Sequence, residues 1–213
     1  MEKVVDKLYE LETELSSNSL INVQYFSFVD YPANVNDLET LKNDDKFHNE
    51  FLDFYRYCNG FEFKWEVKNG QWQEEDISGK TNVLAFQKSI KSWKGIVHFD
   101  DTPEDSPLKK FFPVDFFADE AAVGANSTPG YRNEMFLYRF EGELIPLQLT
   151  MEGYLELLNY CRGFFYWQYG ILELQEKKEN LTSSKMKQYL PLIFKDFNWK
   201  QFVKMYNRYR VGK

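Results

Sequence analysis

Residues 61–77 read FEFKWEVKNGQWQEEDI. Phe61, Phe63, Trp65 and Val67 alternate with Glu62, Lys64 and Glu66, the period of two that sends successive side chains to opposite faces of a strand. Asn69-Gly70 follows, a pair that accepts the left-handed backbone of a type I′ turn. Trp72–Ile77 is therefore expected to return antiparallel beside the first strand. Immediately upstream, residues 50–60 read EFLDFYRYCNG. The spacing predicts a helix that starts near Asn43-Asp44-Asp45, carries Phe47, Phe51, Phe54 or Tyr55, and Cys58 on one face, and stops at Asn59-Gly60. An aromatic helix running straight into a half-buried hairpin points to helices covering one side of an antiparallel sheet, an α+β architecture.

The pattern extends in both directions. Val4, Leu8, Leu11 and Leu15 fall at helical spacing, and residues 20–29 are β-rich up to the break at Tyr31-Pro32. Downstream, Leu84–Trp93 reads as a short helix and Ile96–Phe99 as extended chain. Asp100–Pro107 reads as an exposed acidic loop. Strands are expected at Phe112–Ala118, Ala121–Ala125, Met135–Phe140 and Leu144–Leu149, the last two joined at Glu141-Gly142. Thr150 can cap a helix carrying Tyr154, Leu155, Leu158 and Cys161. Leu181–Phe194, interrupted at Pro191, and Trp199–Tyr209, capped by Asn198, are the last helical patterns. Residues 1–165 thus form an α+β domain, and residues 166–213 a basic, aromatic helical extension expected to pack on it.

The totals fit a globular chain. Of 213 residues, 43% are hydrophobic and 28% charged, and 18% are aromatic, so both core and contact surfaces should be ring-rich. No apolar run approaches the roughly 20 residues that a membrane span needs. The opening MEKVVD contains no apolar stretch, and no secretory signal is expected. Cys58 and Cys161 both fall inside aromatic helical patterns and read as buried free thiols in a reducing, cytoplasmic setting. The net charge of −7 is unevenly spread: residues 170–213 hold ten basic and four acidic residues (+6), leaving 16 basic and 29 acidic (−13) for residues 1–169. An acidic body repels phosphates and attracts a basic protein, so nucleic acid is not expected as the main partner.

The residues offer little for chemistry. His48 and His98 are far apart in sequence, no cysteine pair has C-x-x-C spacing, and no metal or cofactor is expected. Neither a G-x-S-x-G elbow nor a phosphate-cradling glycine loop is present. Asp115, Asp119 and Glu120 could in principle do acid–base work, but solvated turn positions are the simpler reading. Asp100, Asp101, Glu104 and Asp105 in the acidic loop, together with Glu74, Glu75 and Asp76 at the far end of the hairpin, can act as electrostatic bait for a basic partner. Asp119 and Glu120 join them as candidate partner-binding residues. The aromatic residues of the basic tail recur at helical spacing (Phe202, Tyr206, Tyr209), which favours packing on the body over base stacking.

The order of the pieces, EFLDFYRYCNG into FEFKW, then FFPVDFFADEAAVG, then MFLYRFEGELIPLQL and TMEGYLELLNY, resembles the SUKH superfamily, which includes fungal Smi/Knr-like regulators of cell-wall synthesis. The resemblance covers roughly residues 40–160. Val114 stands where the family often has phenylalanine, Ala121-Ala122 replaces a glycine-rich turn, and residues 165–213 have no counterpart in short members. The resemblance implies a bent, mainly antiparallel sheet flanked by helices. It also implies a binding role without catalysis: an immunity protein that neutralises a cognate polymorphic toxin, or else a regulatory scaffold of the fungal type. An unrecognised carboxylate-dependent enzyme is the third reading. The expected partner is a basic toxin domain, and the expected state a monomer or weak homodimer.

Overall fold

The computed structural model describes residues 1–43, 49–68, 77–129, 134–140 and 142–212. The chain is α+β, with a seven-stranded antiparallel sheet in the order β1-β2-β3-β4-β5-β6-β7 and helices packed against it. Helix α1 (Glu2–Ser17) buries Val4, Val5, Leu8, Leu11 and Leu15. Strand β1 (Ile21–Phe28) follows, with an extra residue between Val23 and Tyr25 that breaks its register with β2 (Phe61–Val67). A bulge on an edge strand of this kind discourages pairing with another chain. Helix α2 (Val35–Asn43), which the sequence reading does not contain, precedes α3 (Asn49–Tyr57). The expected stripe of α3 is buried at Phe51, Phe54, Tyr55 and Cys58, while Phe47 and His48 lie outside the described residues. Gly60 ends this segment at φ +106°, where a Cβ would lie 2.5 Å from the Val83 carbonyl oxygen. Glycine is required there on both counts.

In β2 the alternation holds, with Phe61, Phe63 and Trp65 fully buried. Its partner β3 is Ser78–Val83 and pairs from Glu66↔Ser78 to Phe61↔Val83; of the expected return strand Trp72–Ile77 only Ile77 is described, and its carbonyl accepts the Val67 N–H at 3.1 Å. Residues 69–76, which include Asn69-Gly70 and Glu74, Glu75 and Asp76, lie outside the described residues. Gly79 fixes the placement of β3. The Trp65 indole lies over it so closely that a Cβ would come within 2.2 Å of Nε1. The strand is set by that close approach and by inward-facing Thr81 and Val83, not by apolar content.

The segment between β3 and β4 differs from expectation. Only Phe86–Ser89 (α4) is helical, and residues 95–97 form a turn that brings His98 into a bridge with Lys94 where extended chain was expected. Ser89 donates from its hydroxyl to the Pro113 carbonyl at 2.7 Å, and the Trp93 indole donates to the Ser89 carbonyl at 2.9 Å. These bonds hold the loop to the sheet in place of a longer helix. Strands β4 (Phe111–Ala118), β5 (Ala121–Asn126), β6 (Met135–Arg139) and β7 (Glu143–Pro146) then form a meander. Strands β3 and β4 share the single ladder pair Val83↔Asp115, so the sheet opens there. The freed edge of β3 pairs instead with residues 163–165, through Lys80 N–H to Gly163 O at 2.8 Å and Phe165 N–H to Ser78 O at 2.9 Å.

Helix α5 (Met151–Tyr160) begins at Thr150, whose hydroxyl accepts the Gly153 N–H at 3.1 Å as anticipated. Thr150→Ala is expected to cost about 1 kcal/mol, the usual worth of such a cap, read as a lower urea midpoint at unchanged slope. Helix α6 (Gln168–Glu176) is an addition to the expected set, followed by α7 (Leu181–Ile193) and α8 (Trp199–Tyr209). Trp167, Ile171, Met186, Leu190, Phe194, Phe202 and Tyr206 are buried in the same core as α1, α3 and α5. The tail is therefore part of the body. A second, smaller cluster of Leu84, Trp93, Val97, Phe111, Ala122, Phe136 and Tyr138 forms where the 84–110 segment packs on β4–β6. Among the described residues no helix is long and apolar enough to cross a membrane.

Candidate partner-binding surface

The described residues among the proposed partner-binding acids are exposed but separated. Asp100, Asp101, Glu104 and Asp105 precede β4, whereas Asp119 and Glu120 form the turn after it. An eight-residue strand spans about 26 Å, so the two groups stand at opposite ends of β4. The loop acids are also neutralised locally. Lys94 pairs with Asp100, and Lys109 with Glu104 at 2.5 Å, which holds the Glu104 carboxyl below its usual range. Residues 88–112 contain five lysines and four acids, a net of +1. Three of these lysines, Lys91, Lys94 and Lys109, line a cleft of about 420 Å³ beside the loop together with Trp93, His98, Asp100 and Glu104. A basic partner gains little there.

Asp115, read from sequence as a solvated turn residue, is 1% exposed. One carboxylate oxygen accepts the Thr81 hydroxyl at 2.8 Å and the Tyr154 hydroxyl at 2.7 Å; the other accepts the Asn82 N–H at 2.8 Å. Desolvation raises its pKa against these three donors, and the Tyr154 phenol is pushed well above its ordinary value. The carboxylate substitutes for ladder bonds where β3 and β4 part. Asp115, Asp119 and Glu120 therefore share no cleft.

Glu120 does line one, of about 360 Å³, with Arg139, Phe140, Tyr166 and Tyr169. Tyr166 is held at φ +61°, a costly conformation for a bulky side chain. Its ring meets Phe117 edge-on at 5.4 Å and its hydroxyl donates to Glu120. Arg139 is paired with Glu143. Opposite charges balance here, and the cleft favours neither sign.

The surface with a consistent character lies on another side. Val29–Tyr31, following β1, forms the common wall of two clefts. One, of about 180 Å³, is lined by Tyr9, Tyr31, Arg56 and Tyr57; the other, of about 360 Å³, by Ser27, Tyr31, Glu62, Asn82 and Lys88. Tyr9, Tyr31 and Tyr57 are 49%, 54% and 49% exposed. The Tyr9 ring rests on Phe28 at 4.2 Å, and partial burial followed by the charges of Cys58 and Asp6 raises its phenol pKa. Asp30 lies on the shared wall, and Arg56 is held by Asp53 at 2.5 Å and Glu39 at 2.6 Å. Counting Asp6, Asp30, Glu39, Asp53 and Glu62 against Arg56 and Lys88 leaves −3. Exposed tyrosine amid carboxylates is a composition suited to recognition, because the ring offers rigid area and a polar tip together.

The sequence reading did not single out these tyrosines, though a signal was there. Tyr9 falls off the Val4–Leu8–Leu11–Leu15 stripe, and Tyr57 off the Phe51–Cys58 face, so both are aromatics at solvent positions. Cys58 and Cys161 are buried free thiols, as expected; burial pushes Cys58 up to about 11 and Cys161 well above the usual thiol range. His98 lines the lysine cleft, and among the described residues no group of three or more His, Cys, Asp or Glu side chains is placed to hold a metal ion. Comparison of the chain with protein-family models, with curated proteins and with solved structures found no match.

Proposed function

We propose that the chain is a non-catalytic protein-binding module, an immunity protein of the cytoplasm that neutralises a cognate basic toxin domain by covering it. The observation that carries the reading is the cluster of exposed Tyr9, Tyr31 and Tyr57 around clefts edged by Asp30, Glu62 and the carboxylates that hold Arg56. The acidic body of residues 1–169 and the resemblance to the SUKH superfamily point the same way. The partner face moves, in this reading, from the lysine-collared 100–105 loop to the tyrosine clefts. The tyrosines act as anchors and the carboxylates steer a positively charged surface toward them.

The test is co-purification with the product of the adjacent gene, with affinity in the nanomolar range or tighter. Tyr31→Ala or Tyr57→Ala should weaken the complex by about 30-fold or more, as loss of an anchor residue does. Asp101→Asn or Asp105→Asn should change affinity by less than about threefold. No binding by that gene product, or tyrosine variants that bind as tightly as the parent, would sink the proposal.

A further inference from the structure

The basic tail, which the partner face leaves unused, carries a regular feature on α8. Lys200, Lys204 and Arg208 are spaced four residues apart and all are exposed, so they form a stripe with steps of about 6 Å along the helix. None of the three takes part in an ion pair among the described residues; Arg208 only lies over the Tyr209 ring at 5.4 Å. Within the chain this arrangement is unfavourable. Like charges at i, i+4 repel, and Lys200 sits in the first turn, where the helix dipole opposes a cation.

Helix α1 carries the complementary row. Glu2, Asp6 and Glu10 are exposed at the same four-residue spacing, and no ion pair among the described residues uses them. Lys3 stands beside that row, whereas Lys7 is committed to Glu156 at 2.7 Å. Both α1 and α8 pack on α5. The two rows therefore flank one central helix, in equal number and equal step, and within a single molecule they do not meet.

We propose that these rows pair between two copies of the chain, α1 of each against α8 of the other, in a closed twofold dimer held by two charge ladders. Reciprocity follows from the twofold axis, because a contact from row to row in one direction is repeated in the other. The contact is weak and salt-sensitive, since exposed ion pairs gain little each and are screened as the Debye length falls from about 30 Å at 0.01 M to about 3 Å at 1 M salt. It does not depend on the identity of any toxin.

Analytical ultracentrifugation of the full chain tests it without any partner. The wild type should show a dimer at 0.01 M salt that dissociates at 1 M. Asp6→Lys and Lys204→Glu should each weaken the dimer by about tenfold or more. The double variant should recover it. An equimolar mixture of the two single variants should also recover it, because each ladder then joins unlike charges. All these positions are exposed, and circular dichroism checks that each variant is folded. A monomer at 0.01 M salt, a dimer that persists at 1 M, or a dimer indifferent to the charge reversals would overturn the proposal.

Discussion

Replacing Asp115 with alanine is expected to destabilise the protein by about 3–5 kcal/mol, a large part of the stability of a typical domain. The carboxylate accepts three hydrogen bonds, from Thr81, Asn82 and Tyr154, in a place where water does not reach. Removing it strands a backbone N–H and two hydroxyls at the joint where β3 and β4 share one ladder pair. Asp115→Asn should cost less, about 1–2 kcal/mol, because the amide oxygen can still accept the Asn82 N–H while the hydroxyls rotate to accept from its NH₂. Urea unfolding of both variants gives the comparison.

The pH dependence has a definite sign. Burial raises the folded pKa of Asp115 above its ordinary value, so between the two values the folded state holds more protons than the unfolded. This contribution to stability is full below about pH 4 and is lost as pH rises through the folded pKa. The advantage of the wild type over Asp115→Asn should therefore be greatest in acid and shrink toward neutrality. An advantage that grows with pH would contradict the raised pKa.

Arg162→Leu is expected to cost about 2–4 kcal/mol, through loss of several charged hydrogen bonds at once. The guanidinium donates to Glu14 at 2.8 and 3.0 Å, to Asp196 at 2.5 Å and to the Tyr160 carbonyl at 2.6 Å, and lies 5.2 Å from the centre of the Phe194 ring. It thereby ties α1, the end of α5 and the α7–α8 connection at one point. Arg162→Lys should recover little of the loss, because an ammonium cannot present the planar fork that reaches all these acceptors. Thermal melts of the two variants within a few degrees of each other, both well below the wild type, are the expected result.

Much of the fold was legible from local rules. The alternation Phe61–Val67, the caps Thr150 and Asn198 and the glycine stop at Gly60 each depend on a few neighbouring residues, and the structure keeps them. What escaped depends on residues distant in sequence. Ser78–Val83 is polar and is a strand because Trp65 and residues 163–165 flank it. Helix α6 contains Gly170 and shows little contrast between its faces, so its burial under α7 decides its state. Asp115 gave a usable sign, since an acid within FFPVDFFA has apolar neighbours on both sides. The lysines that neutralise Asp100 and Glu104 sit within ten residues of them, but only the folded loop reveals which carboxylates they meet.

The tie between the first helix and the far end of the chain bears on how the protein is made. Lys7 and Glu14 meet Glu156 and Arg162 across 149 and 148 residues, and the Asn18 side chain donates to the carbonyl of Ile193. During synthesis these contacts of α1 wait until α5 and the connection between α7 and α8 have been made. Closure by such distant contacts is slow, and the waiting species is prone to aggregate. Yield from overexpression should accordingly improve when translation is slowed by lower temperature, and a copy cut short after residue 165 should be found in inclusion bodies.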